Sequence, residues 1–194
     1  TQQVVERSQY YAHIHKMSSL IRRLSSSIRS LSTRLASTEE CKVIILGLDN
    51  SGKSTVINYL QKTAGSLGRE EKTSEVVPTI AYSVEQFKRG KVCFTVYDMS
   101  GQDKYRNMWE KQYNNVKAII FVVDSTDKMR LCVAKDELEM ILQHTDVSKR
   151  SIPILFLANK KDSPNALSAA ECVTKLGLEH VQNRAWSIVS TSAT

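Results

Sequence analysis

Residues 47–54 read GLDNSGKS and follow directly on an apolar run, Lys42–Leu46. A Gly-x-x-x-x-Gly-Lys-Ser spacing between a strand and a helix suits phosphate binding. Gly47 and Gly52 permit backbone angles closed to other residues, so that successive N–H groups turn inward towards oxyanions. A helix starting at Lys53 would bring the positive end of its dipole to the same place. Lys53 is expected to neutralise charge on the outer phosphates and so to serve both binding and catalysis. Ser54 would offer its hydroxyl to Mg²⁺. Asp49, Asn50, Ser51 and Thr55 complete the set expected to line a nucleotide. A ligand-free glycine turn is the competing reading. It leaves the order strand, loop, helix unexplained.

Later segments decide which nucleotide is bound. Residues 159–162 read NKKD after the apolar run Ile154–Ala158. Asn159 and Asp162 can hydrogen-bond a guanine edge. A carboxylate accepting the ring N1–H and the exocyclic amine suits guanine and not adenine, which lacks both donors. Lys160 would lay its aliphatic stem along the base. Residues 190–194 read STSAT: the Ala193 N–H is placed to meet guanine O6, with Ser192 shaping the turn, although a plain strand-end turn has the same letters. Residues 98–102 read DMSGQ. Asp98 would hold Mg²⁺ through a water, the Gly101 N–H would contact the γ-phosphate, and Gln102 would orient the attacking water. Thr79, after Pro78, would add a second hydroxyl to the metal and join Lys53 and Gln102 in catalysis. The metal set is thus Ser54, Thr79 and Asp98. The reaction these residues imply is GTP + water → GDP + phosphate, which needs positioning and charge neutralisation more than covalent chemistry. Arg106 and Arg130 read as surface residues, not as an arginine finger in cis. Hydrolysis unaided is therefore expected to be slow.

The elements that must position these groups alternate. Apolar, β-rich runs occur at Lys42–Leu46, Ala81–Phe87, Val92–Tyr97, Ala118–Val123, Ile154–Leu157 and Trp186–Val189. Helical stretches fit at about Lys53–Lys62, Lys128–His144 and Ser168–Leu176. Only Lys88, Arg89, Gly90 and Lys91 separate the second and third strands, which therefore pair as a hairpin. The pattern predicts an α/β domain over 41–194: a P-loop small G domain with a doubly wound, mostly parallel six-stranded sheet and one antiparallel edge strand. Residues 63–77 read as a flexible polar loop. Residues 1–40 form a distinct extension without Gly or Pro. Within it Met17, Leu20, Ile21, Leu24, Ile28, Leu31 and Leu35 recur at steps of three and four, predicting an amphipathic helix over about 17–36. The chain opens on Thr1, and Met17 reads as a candidate initiator.

The whole-chain properties bound the class. There are 194 residues, 41% hydrophobic and 24% charged, with a net charge of +7. That balance favours anionic partners such as phosphates or an acidic membrane surface. Nucleic acid is not expected, because no aromatic–basic interleaving accompanies the charge. The four cysteines show no CxxC or zinc spacing, which suits reduced thiols. The longest unbroken apolar run, Ala118–Val123, is far short of the about 20 residues a membrane span needs. No secretory signal is present.

Five motifs in fixed order resemble the Ras-like small GTPases. GLDNSGKST (47–55), VPTI (77–80), FTVYDMSGQDKYRNMWEKQY (94–113), IIFVVDSTD (119–127) and NKKDSPNALSAAE (159–171) resemble the Arf and Arf-like family. SVEQFKRG and DMSGQ are most similar to its Arf-like six branch, the Bardet–Biedl GTPase that recruits a ciliary membrane coat. The resemblance implies a switch in which the strands between the two switch segments shift register with nucleotide, and GTP expels the N-terminal helix onto membrane. A helix packed permanently on the domain or on a partner is the alternative. The resemblance also implies an exchange factor, a GTPase-activating protein and an effector or coat as partners of a monomer. Its expected location is cytoplasmic and reversibly membrane-associated, at a cilium or its base. Effectors would meet Thr79, the 81–97 hairpin, Tyr105 and Trp109; Trp109 suits an interface anchor and a core residue equally. Another trafficking step, or GTP binding with negligible turnover, are alternative functions. An ATPase or nucleotide kinase is disfavoured by NKKD. Two departures stand out. Ser100 replaces a glycine found in many members, and Ser18, not glycine, follows Met17, so no myristoyl acceptor is visible. Members continue past the SAT turn into a last helix, which residues 41–194 are expected to lack.

Overall fold

The computed structural model describes residues 39–64, 81–89 and 91–192. The helix expected over 17–36, most of the loop expected over 63–77, Thr79 and Ala193 lie outside them.

The six strands are β1 (Glu39–Leu46), β2 (Tyr82–Arg89), β3 (Val92–Met99), β4 (Ala118–Asp124), β5 (Ile154–Asn159) and β6 (Trp186–Ser190). They form one sheet in the order β2-β3-β1-β4-β5-β6. β2 and β3 are the antiparallel pair, matched from Tyr82 opposite Met99 to Arg89 opposite Val92. β1 with β4, β4 with β5 and β5 with β6 run parallel. Every residue of β5, ILFLAN, is buried, as expected of an inner parallel strand covered on both faces. Ile44, Leu46, Phe121, Phe156 and Leu138 belong to the core cluster.

Helix α1 (Lys53–Ala64) leaves the phosphate loop. A single turn, α2 (Asp103–Arg106), follows β3. Helix α3 (Leu131–Gln143) presents Leu131, Ala134, Leu138 and Ile141 to the core, the three-and-four spacing of one helix face. The predicted helix Lys128–His144 is thus trimmed at both ends, and a short turn, α4 (Thr145–Ser148), follows it. Helix α5 (Ala169–Leu176) opens on a capping box between Ser168 and Glu171 and closes at Gly177 in the left-handed region. The predicted stretch Ser168–Leu176 counted the cap as helix.

Five of the strands, β2 to β6, run past their predicted ends, and in β3 and β5 the extra residues include candidate site residues. β3 continues through Asp98 and Met99, β4 reaches Asp124, and β5 reaches Asn159. Polar side chains at strand ends carry no apolar signal, yet the ladder extends to them. The phosphate loop, DMSGQ, NKKD and STSAT all leave the carboxyl ends of strands, where open α/β sheets collect ligands.

Candidate functional site

The phosphate loop owes its shape to local sequence. Gly47 and Gly52 have φ of +137° and +93°, and a Cβ on Gly52 would lie 2.3 Å from Asn159 Nδ2. Asn50 also takes a left-handed angle, φ 58°, which asparagine tolerates better than most residues. Lys53 is 7% exposed, and its Nζ donates to the carbonyls of Gly47 at 3.0 Å and Leu48 at 2.8 Å. Burial pushes its pKa down to about 8; Asp98 and Asp49 oppose the fall and Arg106 adds to it. Such an ammonium, short of solvent, is primed to gain from a phosphate.

Two of the three predicted metal residues meet directly. The Ser54 hydroxyl donates to Asp98 Oδ2 at 2.5 Å, and Asp98 is 2% exposed. Hydroxyl and carboxylate are hard oxygen donors of the kind Mg²⁺ takes. Gly101 lies against the phosphate loop so closely that a Cβ would fall 2.2 Å from Asp49 N and 2.5 Å from Gly47 O. Only glycine fits there. Gln102 precedes α2 in an extended conformation and is half-buried.

On the base side, Asn159 is a brace. Its Nδ2 donates to Ser51 O at 2.9 Å, its Oδ1 accepts from Thr191 Oγ1 at 3.1 Å, and its carbonyl accepts from Ser125 Oγ at 2.6 Å. One carboxamide therefore joins the phosphate loop to the turn after β6. Lys160, at φ 64°, extends its Nζ to Asp124 Oδ2 at 2.7 Å. Burial alone would raise the Asp124 pKa, but hydrogen bonds from Lys160 and Thr126 outweigh it and hold the group below its ordinary value. Asp162 is exposed; a hydrogen bond with Ser192 is the main cause of its lowered pKa. Thr55 lies half-buried in the first turn of α1.

The fit to a nucleotide can be tested on the loop itself. Ser51 is 1% exposed and its Oγ is a buried polar atom with no hydrogen-bond partner. An orphaned hydroxyl, a buried ammonium and two glycines at positive φ together suit a polyanion.

Several expectations change. Ser100 is absent from the residues with left-handed φ, so serine takes its backbone angle without strain; its N–H donates to Ala81 O at 2.9 Å. Trp109 is core: it is 2% exposed and its Nε1 donates to Ser100 O at 2.8 Å. Neither arginine is a simple surface residue. Arg130 bonds Asp49 Oδ1 at 3.0 Å and Asp127 Oδ2 at 2.5 Å, and Arg106 is 14% exposed and engaged. Sequence reasoning also missed Asp124, Ser125 and Thr191 as supports. The segment IIFVVDSTD gave a family signal but not these pairings.

Comparison with known proteins agrees with the geometry. The model of the ADP-ribosylation factor family matches residues 25–194. ADP-ribosylation factor-like protein 6 of Danio rerio is 47% identical over 155 residues, covering 80% of this chain and 80% of that protein. Its counterpart in Caenorhabditis elegans is 40% identical, covering 80% of this chain and 78% of that protein. The structure of the Arl6 BBS3 small GTPase from Trypanosoma brucei, with the bound nucleotide analogue GppNp, superposes with a TM-score of 0.71. It is 39% identical and covers 79% of this chain and 87% of that one. With phosphate loop, DMSGQ and NKKD gathered at one sheet edge, the chain belongs to the ADP-ribosylation factor family of small GTPases, which bind guanine nucleotide and hydrolyse GTP.

Proposed function

We propose that the chain is a Mg²⁺-dependent GTP switch that recruits an effector or coat complex to membrane in its GTP state, in ciliary protein trafficking. The observation that carries the reading is the single cluster formed by Lys53, the Ser54–Asp98 pair and the Asn159 brace. It supports a phosphate end, a metal end and a base end in one site.

Within this reading Gly47, Asp49, Asn50, Ser51, Gly52, Lys53 and Thr55 hold the phosphates. Ser54, Thr79 and Asp98 would hold Mg²⁺, which would offset phosphate charge. Asn159, Lys160, Asp162, Ser192 and Ala193 read the base. Gly101 contacts the outer phosphate, and Gln102, with Lys53 and Thr79, serves hydrolysis. An activating protein supplies the missing positive charge, and an exchange factor opens the site. The sequence similarity to ADP-ribosylation factor-like protein 6 supports the ciliary setting. Residues 1–40 act as an extension whose amphipathic helix meets the membrane, and 41–194 act as the G domain. Among the described residues no helix is long and apolar enough to cross a membrane.

Flotation on anionic vesicles tests the switch. The chain is loaded with GDP or with a non-hydrolysable GTP analogue, with loading confirmed. Flotation with the analogue alone is expected. Equal flotation in both states would sink the coupling of nucleotide to membrane.

A further inference from the structure

We propose that Arg106, braced by Glu137, is a positioning residue for Gln102: it grips the carbonyl of the peptide from which Gln102 springs. The proposal rests on the reading that Gln102 orients the attacking water.

Three contacts carry it. Arg106 Nε donates to Gly101 O at 3.0 Å. Its Nη1 donates to Glu137 Oε1 at 2.8 Å and to Asp103 Oδ1 at 3.3 Å. The two acids are not equivalent. Asp103 is 93% exposed, so its pair with Arg106 is worth little. Glu137 is 13% exposed and Arg106 14%, so this pair is shielded and geometrically restrained. Glu137 stands on α3, whose Leu138 and Ile141 are in the core. The guanidinium is therefore anchored to a rigid element.

The peptide it grips needs an anchor. It follows Gly101, which has no side chain to restrain rotation. Its carbonyl goes to Arg106, and its other polar atom, the Gln102 N–H, points at Ser100 Oγ at 3.4 Å. Both polar atoms of the Gly101–Gln102 peptide are thus met by side chains. The hydroxyl belongs to Ser100. Arginine suits the task because its planar fork serves a carbonyl and a carboxylate together, which a lysine does not match. Arg106 also lies near enough to the phosphate loop to act on the charge of Lys53. A shielded ion pair is weak evidence of stabilisation; fixed geometry is the better account of this one.

Single-turnover GTP hydrolysis, the GDP dissociation rate and thermal unfolding are measured on the full chain with Mg²⁺, for Arg106→Gln, Arg106→Lys, Glu137→Gln and Gln102→Leu. Arg106→Gln and Glu137→Gln are expected to slow hydrolysis roughly tenfold, as misplacement of a positioned group does. GDP release should stay within about twofold, separating positioning from binding. Arg106→Lys should not restore the rate. The double variant Arg106→Gln/Gln102→Leu should be no slower than Gln102→Leu, because the two residues act as one unit. An unslowed Arg106→Gln beside a slowed Gln102→Leu overturns this proposal alone. An unslowed Gln102→Leu overturns the reading of Gln102 beneath it. Losses that multiply in the double variant, or GDP release that changes as much as hydrolysis, also overturn it. Should Arg106→Gln fail to fold, Glu137→Gln, which keeps the shape and removes the charge, decides by the same criteria.

Discussion

In the proposed reading, Asp162 carries the choice of base through charge. It is exposed, and its pKa is lowered chiefly by the hydrogen bond with Ser192, so near neutral pH it is ionised and only accepts hydrogen bonds. Guanine offers two donors to such a group. Asp162→Asn replaces one accepting oxygen with a donor. GDP affinity should fall about tenfold to a hundredfold, the range for losing hydrogen bonds to a charged group. A xanthine nucleotide, which has a carbonyl in place of the amine, should bind the variant better than GDP does. Competition for a fluorescent guanine nucleotide measures both. An unchanged preference for GDP would remove Asp162 from the base. The proposed role is legible in the sequence because NKKD suggests it. The support from Asp124 is not: it rests on Asp124 lying opposite Asn159 in the β4–β5 register, beside Lys160. A pairing between distant segments leaves no mark in either one.

At the scale of elements, polar side chains decide where helices begin. Sequence periodicity starts the third helix at Lys128, but Arg130 N donates to Asp127 Oδ1 at 3.2 Å and Thr126 N to Asp124 Oδ1 at 3.0 Å. Such local bonds hold aspartate turns that compete with helix, and α3 opens only at Leu131. At its other end His144 leaves at ψ 134° and accepts from Asp146 N, starting α4. Periodicity sees apolar faces and is blind to these caps. Ser168 is the opposite case, since its signal is in the sequence: Ser168 and Glu171 stand three apart before an apolar stripe and form the full capping box. Ser168→Ala should cost about 1 kcal/mol and lower the melting temperature by about 2–4 °C in a domain of this size. Thermal unfolding followed by circular dichroism checks it. An unshifted transition would mean that packing through Cys172 and Leu176, not the cap, holds α5.

For the whole molecule, the order of motifs was enough to place the loops on one edge of the sheet, because parallel strands deliver their carboxyl ends together. The struts between those loops were not legible. Asn159 was read as a base contact, yet its carboxamide spans Ser51 and Thr191, two loops far apart in sequence, while 2% exposed. Asn159→Ala would leave the Ser51 carbonyl and the Thr191 hydroxyl unpaired in a buried setting, at about 1–3 kcal/mol each. The stability of the nucleotide-stripped protein should therefore fall by several degrees. Asp162→Asn, at the exposed end of the same motif, should leave that stability alone. Nucleotide adds a second axis, since a ligand of the native state raises stability with the logarithm of its concentration, by about 2.7 kcal/mol at one hundred times Kd. Unfolding across a GDP titration should separate the residues. Asp162→Asn starts at the parent melting temperature and gains less from GDP. Asn159→Ala starts lower and also gains less, because the loops it ties must be ordered by the ligand itself. If Asn159→Ala starts at the parent value, the carboxamide is not a strut, and its place in NKKD serves the base alone.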